Sequence, residues 1–222
     1  DELNSSQREA VTYIDGPSLV IAGAGSGKTR VLTCKIVYLL QKGWNPSSIL
    51  ALTFTNKAAR EMRERIASMV EPAQASRLWM GTFHSVFYRI LRTEAAALGF
   101  KPSFTIYDTS DSKSLVKNII KDMNLDEKQY KPSSVLAVIS KAKNRLVRPE
   151  DYMRSSECMR ADALMNMPSL GLIYKEYCHR CRLSNAMDFD DLLLYTYLLF
   201  RDHPEICERY QNRFSYLLVD EY

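Results

Sequence analysis

The sequence predicts an α/β fold with a parallel sheet and an inserted, all-helical segment. Through Asp108, short apolar runs alternate with stretches whose apolar residues recur at helical spacing, which is the pattern of a parallel sheet with helices on its faces. From Ser110 to about Arg213 the spacing is helical throughout, and a last apolar run then returns. An all-helical block between parts of one sheet is interpreted as an insertion. The sheet domain is therefore predicted over 1–108 and 204–222, and the insertion over 109–203.

Each predicted strand is a short apolar run, as expected for a strand buried on both faces. The candidates are Ser18–Ala22, Ile49–Phe54, Leu78–Thr82 and Ser215–Asp220, with Phe104–Tyr107 as a further candidate for the same sheet. Helical spacing predicts helices over Lys28–Gln41, Asn56–Val70 and Phe83–Leu98, and then over Ser112–Met123, Ser133–Arg145, Pro168–Leu183, Phe189–Arg201 and Pro204–Phe214.

The composition is that of a soluble globular protein. Of 222 residues, 46% are hydrophobic and 25% charged, and the formal net charge of +4 permits a nucleic-acid partner without demanding one. There is no apolar run of about 18 residues, the length of a membrane span, and the first residues lack the features of a signal peptide. Five cysteines, an odd number, favour a reducing cytosol. Cys178 and Cys181 form a C-x-x-C motif, which is interpreted as ordinary helix rather than metal or redox chemistry.

A glycine-rich turn between the first strand candidate and the first long helix predicts a nucleotide site. Its glycines allow successive backbone N–H groups to face phosphate oxygens, and the following helix adds its positive N-terminal end. In this P-loop pattern the lysine reaches the β- and γ-phosphates of ATP and the threonine hydroxyl binds Mg²⁺. The alternative is a turn that merely caps a helix. The predicted site comprises Ala22, where the strict pattern has its first glycine, and Gly23, Ala24, Gly25, Ser26, Gly27, Lys28 and Thr29.

Two adjacent acids end the last strand candidate. Asp220 and Glu221 follow the apolar run Leu217–Val219, at the sheet edge where ligands bind in open α/β folds. A P-loop motor needs one acid for Mg²⁺ and one group that orients the attacking water. Asp220 is therefore predicted to hold the metal and Glu221 to activate water. The alternative is an exposed acidic turn.

Together these segments resemble the UvrD/Rep-like DNA helicases of superfamily 1. Leu3–Ala10 resembles the family's Q motif, which implies that Gln7 recognises adenine. Ala51–Ala59 resembles motif Ia, which implies that Phe54 lies against a DNA base with Thr55 and Asn56 near the backbone; without the resemblance, Phe54 would be taken for a core residue. Gly81–Ser85 resembles another DNA motif, which implies phosphate contacts from Thr82 and His84. Arg30 and Arg65 match family arginines near the nucleotide.

Two charged segments in the helical block allow more than one interpretation. Met187–Leu193 is also typical of the family, and its Asp190 and Asp191 are interpreted as the first turn of a helix rather than metal ligands. A basic cluster suits contact with a DNA backbone, although a solvated helix face fits equally well. The cluster comprises Lys141, Lys143, Asn144, Arg145 and Arg148.

The resemblance implies the ATP-binding, RecA-like part of a 3′–5′ DNA helicase. The expected cofactors are ATP and Mg²⁺, the expected partners are single-stranded and duplex DNA with repair or replication proteins, and the expected location is the bacterial cytosol or nucleoid. Because the sequence ends inside the family's Asp-Glu-Phe/Tyr-Gln motif, at Tyr222, these 222 residues are expected to bind nucleotide weakly and hydrolyse it negligibly alone. The alternatives are a P-loop phosphotransferase and a non-catalytic DNA-binding module.

Overall fold

The computed structural model describes residues 3–23 and 25–220, in which helices and short strands alternate. The strands are β1 (Ile49–Thr53), β2 (Trp79–Thr82), β3 (Thr105–Ile106), β4 (Ala186–Met187) and β5 (Tyr216–Val219). The helices are α1 (Ser5–Thr12), α2 (Lys28–Gln41), α3 (Asn56–Ala67), α4 (Pro72–Arg77), α5 (Phe83–Glu94), α6 (Thr109–Asp122), α7 (Pro132–Asn144), α8 (Pro149–Arg154), α9 (Ser156–Leu164), α10 (Leu170–Leu183), α11 (Phe189–Asp202) and α12 (Pro204–Arg213).

The chain divides into two compact units. The first consists of Asp1–Val86 with Pro204–Tyr222, and the second of Phe87–His203. The first unit is thus built from two separate stretches of chain, whereas the second is one continuous stretch. The domain boundaries predicted from the sequence, 1–108 with 204–222 and 109–203, stay a prediction.

A parallel sheet with strand order β2-β1-β5 forms the centre of the first unit. The central strand β1 is buried at all five positions, as expected for a strand with a neighbour on each side and helices on its faces. Leu52 is in register with Gly81 of β2 and Val219 of β5. Apolar side chains of α2, α3 and the strands form the core, among them Ile36, Leu39, Ile49, Met62, Ile66 and Leu218. The predicted α/β class with a parallel sheet is confirmed.

The first predicted strand, Ser18–Ala22, is wrong for the residues that the structure describes. They lie outside any helix or strand, and their apolar side chains face solvent, with Ile21 89% exposed and Leu19 69% exposed. A strand persists only where a neighbouring strand satisfies its backbone N–H and C=O groups. Among the described residues β5 pairs with β1, and no strand pairs with Ser18–Ala22. Apolar composition alone could not supply that partner.

The second unit is mainly helical but contains a two-stranded parallel sheet. Thr105 of β3 is in register with Ala186 of β4, and Ile106 with Met187. Two predictions are corrected by this sheet. The candidate Phe104–Tyr107 does not join the main sheet, and the block predicted without strands contains β4. Two apolar residues are too few to show a period of two, so β4 left no readable signal in the sequence.

The helices predicted within the second unit begin and end within three residues of α6, α7, α10 and α11, whereas α8 and α9 were not predicted. The core lies between α6, α7 and α10 and is formed by residues such as Val116, Ile119, Ile139, Ile173, Tyr174 and Tyr177. The helix predicted over Phe83–Leu98 instead ends at Glu94 and continues as a 3₁₀ turn, Ala95–Leu98, which Gly99 closes at a φ of +76°. A left-handed residue is a common way to end such a helix, and glycine adopts it without steric cost.

Candidate functional site

Buried polar residues line the carboxyl edge of the main sheet. The three strands are parallel, so their last residues meet at one edge: Thr53 ends β1 opposite Thr82 of β2, and Asp220 directly follows β5. The backbone N–H of Asp220 donates to the carbonyl oxygen of Leu52 at 2.9 Å, which continues the β1–β5 pairing. All three polar residues are buried, Asp220 with 6% exposure. Open α/β sheets bind ligands at this edge.

A glycine-rich loop, Gly23–Gly27, leads into α2 beside this edge. Gly25 and Gly27 have φ of +75° and +83°, which only glycine adopts readily. A Cβ built on Gly23 or Gly25 would meet nothing within 4 Å, so the loop backbone is open to a ligand. Gly27 is the N-cap of α2 and has no side chain with which to cap the helix. The first N–H groups of α2 are therefore available to an anion. Ala24 lies outside the described residues.

The ammonium of Lys28 is folded back over this loop. Its Nζ donates to the carbonyl oxygens of Ala22 at 3.0 Å and Gly23 at 2.9 Å. These contacts hold a positive charge above the backbone that would face an anion. A phosphate would compete with two neutral carbonyls for this ammonium, and hydrogen bonds between charged partners are the stronger.

The structure brings the first turn of α2 and the end of β5 together through a side-chain contact. The Thr29 hydroxyl donates to Oδ2 of Asp220 at 3.3 Å, although the two residues are 191 positions apart in sequence. A hydroxyl and a carboxylate oxygen next to the glycine-rich loop form a set of hard oxygen donors. Glu221, predicted to activate water, lies outside the described residues.

Gln7 lies against the same loop. It completes a capping box at the start of α1: its N–H donates to Oδ1 of Asn4 at 2.8 Å, and its Oε1 accepts from the Asn4 N–H at 3.0 Å. Its Nε2 donates to the Ser26 carbonyl oxygen at 3.0 Å and would lie 3.3 Å from a Cβ on Gly27. A side chain on Gly27 would therefore push Gln7 away from the loop.

Arg30 and Arg65 line one open pocket of about 460 Å³ between α2 and α3, together with Thr33, Cys34, Ser68 and Met69. Two guanidinium groups in one pocket provide donors for an anionic or π-rich ligand. The sequence suggested a role near the nucleotide for each arginine, and the structure places them at a common opening.

Phe54, one of the residues predicted to bind DNA, is exposed. Its side chain is 58% exposed, which rules out the alternative that it is a core residue. Its ring lies 5.1 Å from that of Phe83, centroid to centroid, at an interplanar angle of 47°. These two rings follow β1 and β2, so they form an aromatic pair at the carboxyl edge of the sheet. An exposed ring at such an edge can stack on a nucleic-acid base.

The polar residues beside this pair also organise helix N-termini. The Thr55 hydroxyl accepts from the Ala58 N–H at 3.1 Å and caps α3, whose first residue is the exposed Asn56. The buried Thr82 hydroxyl accepts from the Ser85 N–H at 3.2 Å, and His84 is half-buried. A hydroxyl that accepts one hydrogen bond keeps its proton for another acceptor, so capping does not prevent a phosphate contact.

In the second unit, Lys143 does not belong to a basic surface. Its side chain is fully buried, with Nζ 2.6 Å from Asp188 Oδ2 and 2.7 Å from Asp191 Oδ1. The Tyr177 hydroxyl also donates to Asp188 Oδ2, at 2.8 Å. The proposed basic cluster is therefore wrong for Lys143, because charge spacing in the sequence does not reveal burial. The other members of the cluster are exposed: Lys141, Asn144, Arg145 and Arg148.

The acids around Lys143 confirm the interpretation of Asp190 and Asp191 as a helix start. Both lie in the first turn of α11, and Asp188 and Asp191 form a capping box. Burial raises the pKa of Asp191 to about 6, although Lys143 opposes the shift. Burial also acts to raise the pKa of Asp188, but the charge and hydrogen bond of Lys143 outweigh it and the pKa is lowered. We interpret this group as a structural network.

The C-x-x-C motif lies within α10, as the sequence predicts. Burial raises the pKa of both thiols, that of Cys181 to about 12. A thiol is a nucleophile and a metal ligand in its thiolate form, and this environment disfavours the thiolate. Among residues 3–23 and 25–220, no cluster of three or more His, Cys, Asp or Glu side chains forms a metal site.

The sequence reading missed Lys35, which contacts the helix that carries Gln7. A lysine inside an apolar helix face has no distinctive motif, and only the position of α1 over α2 reveals its partners. Lys35 is buried, and its Nζ donates to two carbonyl oxygens at the end of α1, those of Ala10 and Tyr13.

Known proteins match this chain along its whole length. Residues 3–222 match the UvrD/REP helicase N-terminal domain. The chain is 45% identical over 221 residues to the ATP-dependent DNA helicase PcrA of Leuconostoc citreum, and the matched region covers 99% of this chain and 29% of that protein. It is 44% identical to PcrA of Staphylococcus aureus (strain Mu50 / ATCC 700699) over 223 residues, 100% of this chain and 30% of that protein.

The chain therefore spans less than a third of the length of each of these relatives, 29% of the first and 30% of the second. Within the described residues, no helix is long and apolar enough to cross a membrane. With a family match over nearly every residue, the chain belongs to the UvrD/REP helicase family as an N-terminal domain.

Proposed function

We propose that these residues form the ATP-binding part of a DNA helicase that couples ATP hydrolysis to 3′–5′ movement along single-stranded DNA and to strand separation. The observation that carries the proposal is the contact between Thr29 and Asp220. It joins a phosphate-binding type of loop to an acid at the carboxyl edge of a parallel sheet, the arrangement that nucleotide hydrolysis requires. Relatives named ATP-dependent DNA helicase support the same assignment.

The chain's own residues would bind ATP from three sides. The backbone N–H groups of Gly23–Thr29 and the start of α2 would surround the phosphates. Lys28 would exchange its two carbonyl partners for the β- and γ-phosphates. The Gln7 amide, held beside the loop by Ser26, would recognise adenine, because one amide both donates to N7 and accepts from the N6 amino group. Arg30 and Arg65 would complete the site.

Thr29 and Asp220 fit a bound Mg²⁺. Both supply hard oxygen atoms, and Mg²⁺ commonly takes one or two carboxylates together with substrate phosphates and water rather than a full protein cage. When bound, the ion would neutralise charge on the phosphates during hydrolysis. Asp220 would hold its carboxylate toward this position, and the adjacent Glu221 would orient the attacking water.

The carboxyl edge of the sheet would also bind DNA. Phe54, exposed and braced by the Phe83 ring, would stack on a base without distinguishing its identity. Thr55 and Asn56, and Thr82 with His84, would contact the phosphate backbone. A motor that moves along any sequence needs contacts of this kind. Because nucleotide and DNA would share one sheet edge, closing the nucleotide site could shift the DNA contacts.

The proposal includes a RecA-like P-loop fold interrupted by a helical insertion, with the sheet domain over 1–108 and 204–222 and the insertion over 109–203. The order of the three paired strands and the discontinuous first unit support it. It also includes a cytoplasmic location and duplex as well as single-stranded DNA as partners.

The Lys28→Ala variant tests this function in a full-length chain that carries residues 1–222. Both DNA-stimulated ATP hydrolysis and unwinding should fall at least a hundredfold, on the order of the loss from removing one charged transition-state contact. Lys42→Ala, an exposed lysine just after α2, is the matched control and should be unaffected. Unwinding that survives Lys28→Ala would overturn the motor assignment. Phosphoryl transfer to a small molecule without DNA stimulation would favour a phosphotransferase instead.

A further inference from the structure

The amino group of Lys35 connects the two helices next to the glycine-rich loop. Lys35 lies in α2, and its Nζ donates to the Ala10 carbonyl oxygen at 3.0 Å and to the Tyr13 carbonyl oxygen at 2.6 Å. The side chain is buried, and Nζ also lies 5.8 Å from the centroid of the Tyr216 ring in β5. Burial of a lysine is costly unless its donors are satisfied, so this contact is a specific feature of the fold.

The two carbonyls belong to the end of α1. The last carbonyl groups of a helix have no partner within the helix, and the end of the helix carries partial negative charge. A lysine ammonium, with three donors and a positive charge, suits such an end. Val11 is the buried residue of α1. The Lys35 hydrogen bonds add a polar attachment at the end of this helix.

Gln7 attaches the other end of the same helix. Its Nε2 donates to Ser26 in the loop, whereas Lys35 contacts Ala10 and Tyr13 further along α1. Helix α1 is thus held at two points about one to two turns apart: Gln7 contacts the glycine-rich loop, and the end of α1 contacts Lys35 of α2. Without the Lys35 hydrogen bonds, the end of this short helix would lose one of these attachments, and the Gln7 amide would be held less firmly beside the loop.

We propose that Lys35 is a positioning residue that holds α1 so that Gln7 can distinguish adenine from other bases. The proposal rests on the proposed function of Gln7 in nucleotide recognition. Lys35 follows Lys28 by seven residues, roughly 10 Å along the helix axis, and its amino group points to α1. It acts on the nucleotide through Gln7 and not by contact.

The test measures base preference in a full-length chain that carries residues 1–222. ATP and ITP each displace a fluorescent adenine nucleotide, and the ratio of their affinities gives the preference, because inosine replaces the N6 amino group with an oxygen. The variants are Lys35→Met, which keeps the apolar stem without donors, Lys35→Arg, which keeps charge and donors, and Gln7→Ala. Lys42→Met, on an exposed lysine just after α2, is the matched control. Melting temperatures are measured in parallel.

Lys35→Met and Gln7→Ala should each lower the ATP-to-ITP ratio about fivefold, the scale of one hydrogen bond. Lys35→Arg should retain most of the preference and Lys42→Met all of it. In a Gln7→Ala background, Lys35→Met should cause no further loss, because the two residues act through one contact. If Lys35→Met does not fold, Lys35→Gln serves in its place and should also lower the ratio.

Two results would count against the proposal, and they differ. If Gln7→Ala loses the preference but the Lys35 variants keep it and merely melt earlier, Lys35 is structural only and the inference fails while the function of Gln7 stands. If Gln7→Ala itself leaves the ratio unchanged, the proposed adenine recognition fails, and the role of Lys35 falls with it.

Discussion

Replacing the buried Lys143 by methionine should be strongly destabilising. The substitution keeps the apolar stem but removes the charge that lies 2.6 Å from Asp188 and 2.7 Å from Asp191. Asp188 retains the Tyr177 hydroxyl as a donor, whereas Oδ1 of Asp191 loses its ion-pair partner. Removing one partner of a buried ion pair costs about 3–5 kcal/mol. At about 2–4 °C per kcal/mol for a chain of this size, the melting temperature should fall by roughly 10 °C.

Thermal melting followed by circular dichroism, at pH 8 and pH 5.5, measures this loss. The loss should be smaller at pH 5.5, because Asp191 can then bind a proton and leave less buried charge. Lys141→Met, an exposed lysine on the same helix, is the control and should change stability by less than about 0.5 kcal/mol. Adding Asp191→Asn to Lys143→Met should recover at least half of the loss. If Lys143→Met has the same melting temperature as Lys141→Met, the buried network does not stabilise the second unit and the prediction is wrong.

Three further predictions address pH, metal and DNA. The Asp191 carboxyl has a pKa of about 6 in the folded protein against an ordinary 3.8, so its contribution to the free energy of unfolding should increase as pH falls from about 6 toward 4. Asp191→Asn should remove that rise in denaturation curves measured across this range. A variant with the same pH dependence as wild type would contradict the pKa. Thr29→Ala should raise the Mg²⁺ concentration needed for half-maximal nucleotide binding at least tenfold, on the order of one charge-assisted contact. In the same magnesium titration Thr29→Ser should stay close to wild type, and equal effects of both variants would exclude a role for the hydroxyl. Phe54→Ala should weaken the binding of single-stranded DNA by about 1–3 kcal/mol in an anisotropy titration, whereas Phe54→Tyr should bind as tightly as wild type. A loss of affinity that depends on the DNA sequence would speak against simple stacking.

The main features of the first unit could be predicted because they depend on local patterns. The bounds of α2 follow from apolar spacing, and they are confirmed at both ends. Asp220 could be expected near Thr29 because a P-loop motor needs an acid beside its phosphates, although the strand predicted before the loop, Ser18–Ala22, is wrong. The catalytic and binding roles of these residues stay predictions, because they depend on ligands.

The predictions that were wrong concern residues whose structure depends on contacts distant in sequence. Ser18–Ala22 has the composition of a strand, but composition does not provide a hydrogen-bonding neighbour. Lys143 lies in a basic stretch, yet its partners Asp188 and Asp191 follow it by 45 residues or more, and no local pattern connects them. Lys35 was missed for the same reason, because its partners are backbone carbonyls, which every residue has.

The discontinuous first unit has a consequence for how the chain folds during synthesis. Helices α6–α11 and both short strands of the second unit are complete once His203 has been made. The edge of β1 that pairs with β5, by contrast, must wait for residues more than 160 positions later. At about 5–20 residues per second, that apolar edge stays unpaired on the ribosome for roughly 8–30 seconds. Unpaired strand edges are templates for wrong association, so we expect nascent chains of this protein to depend on chaperones most in the interval before Tyr216 emerges.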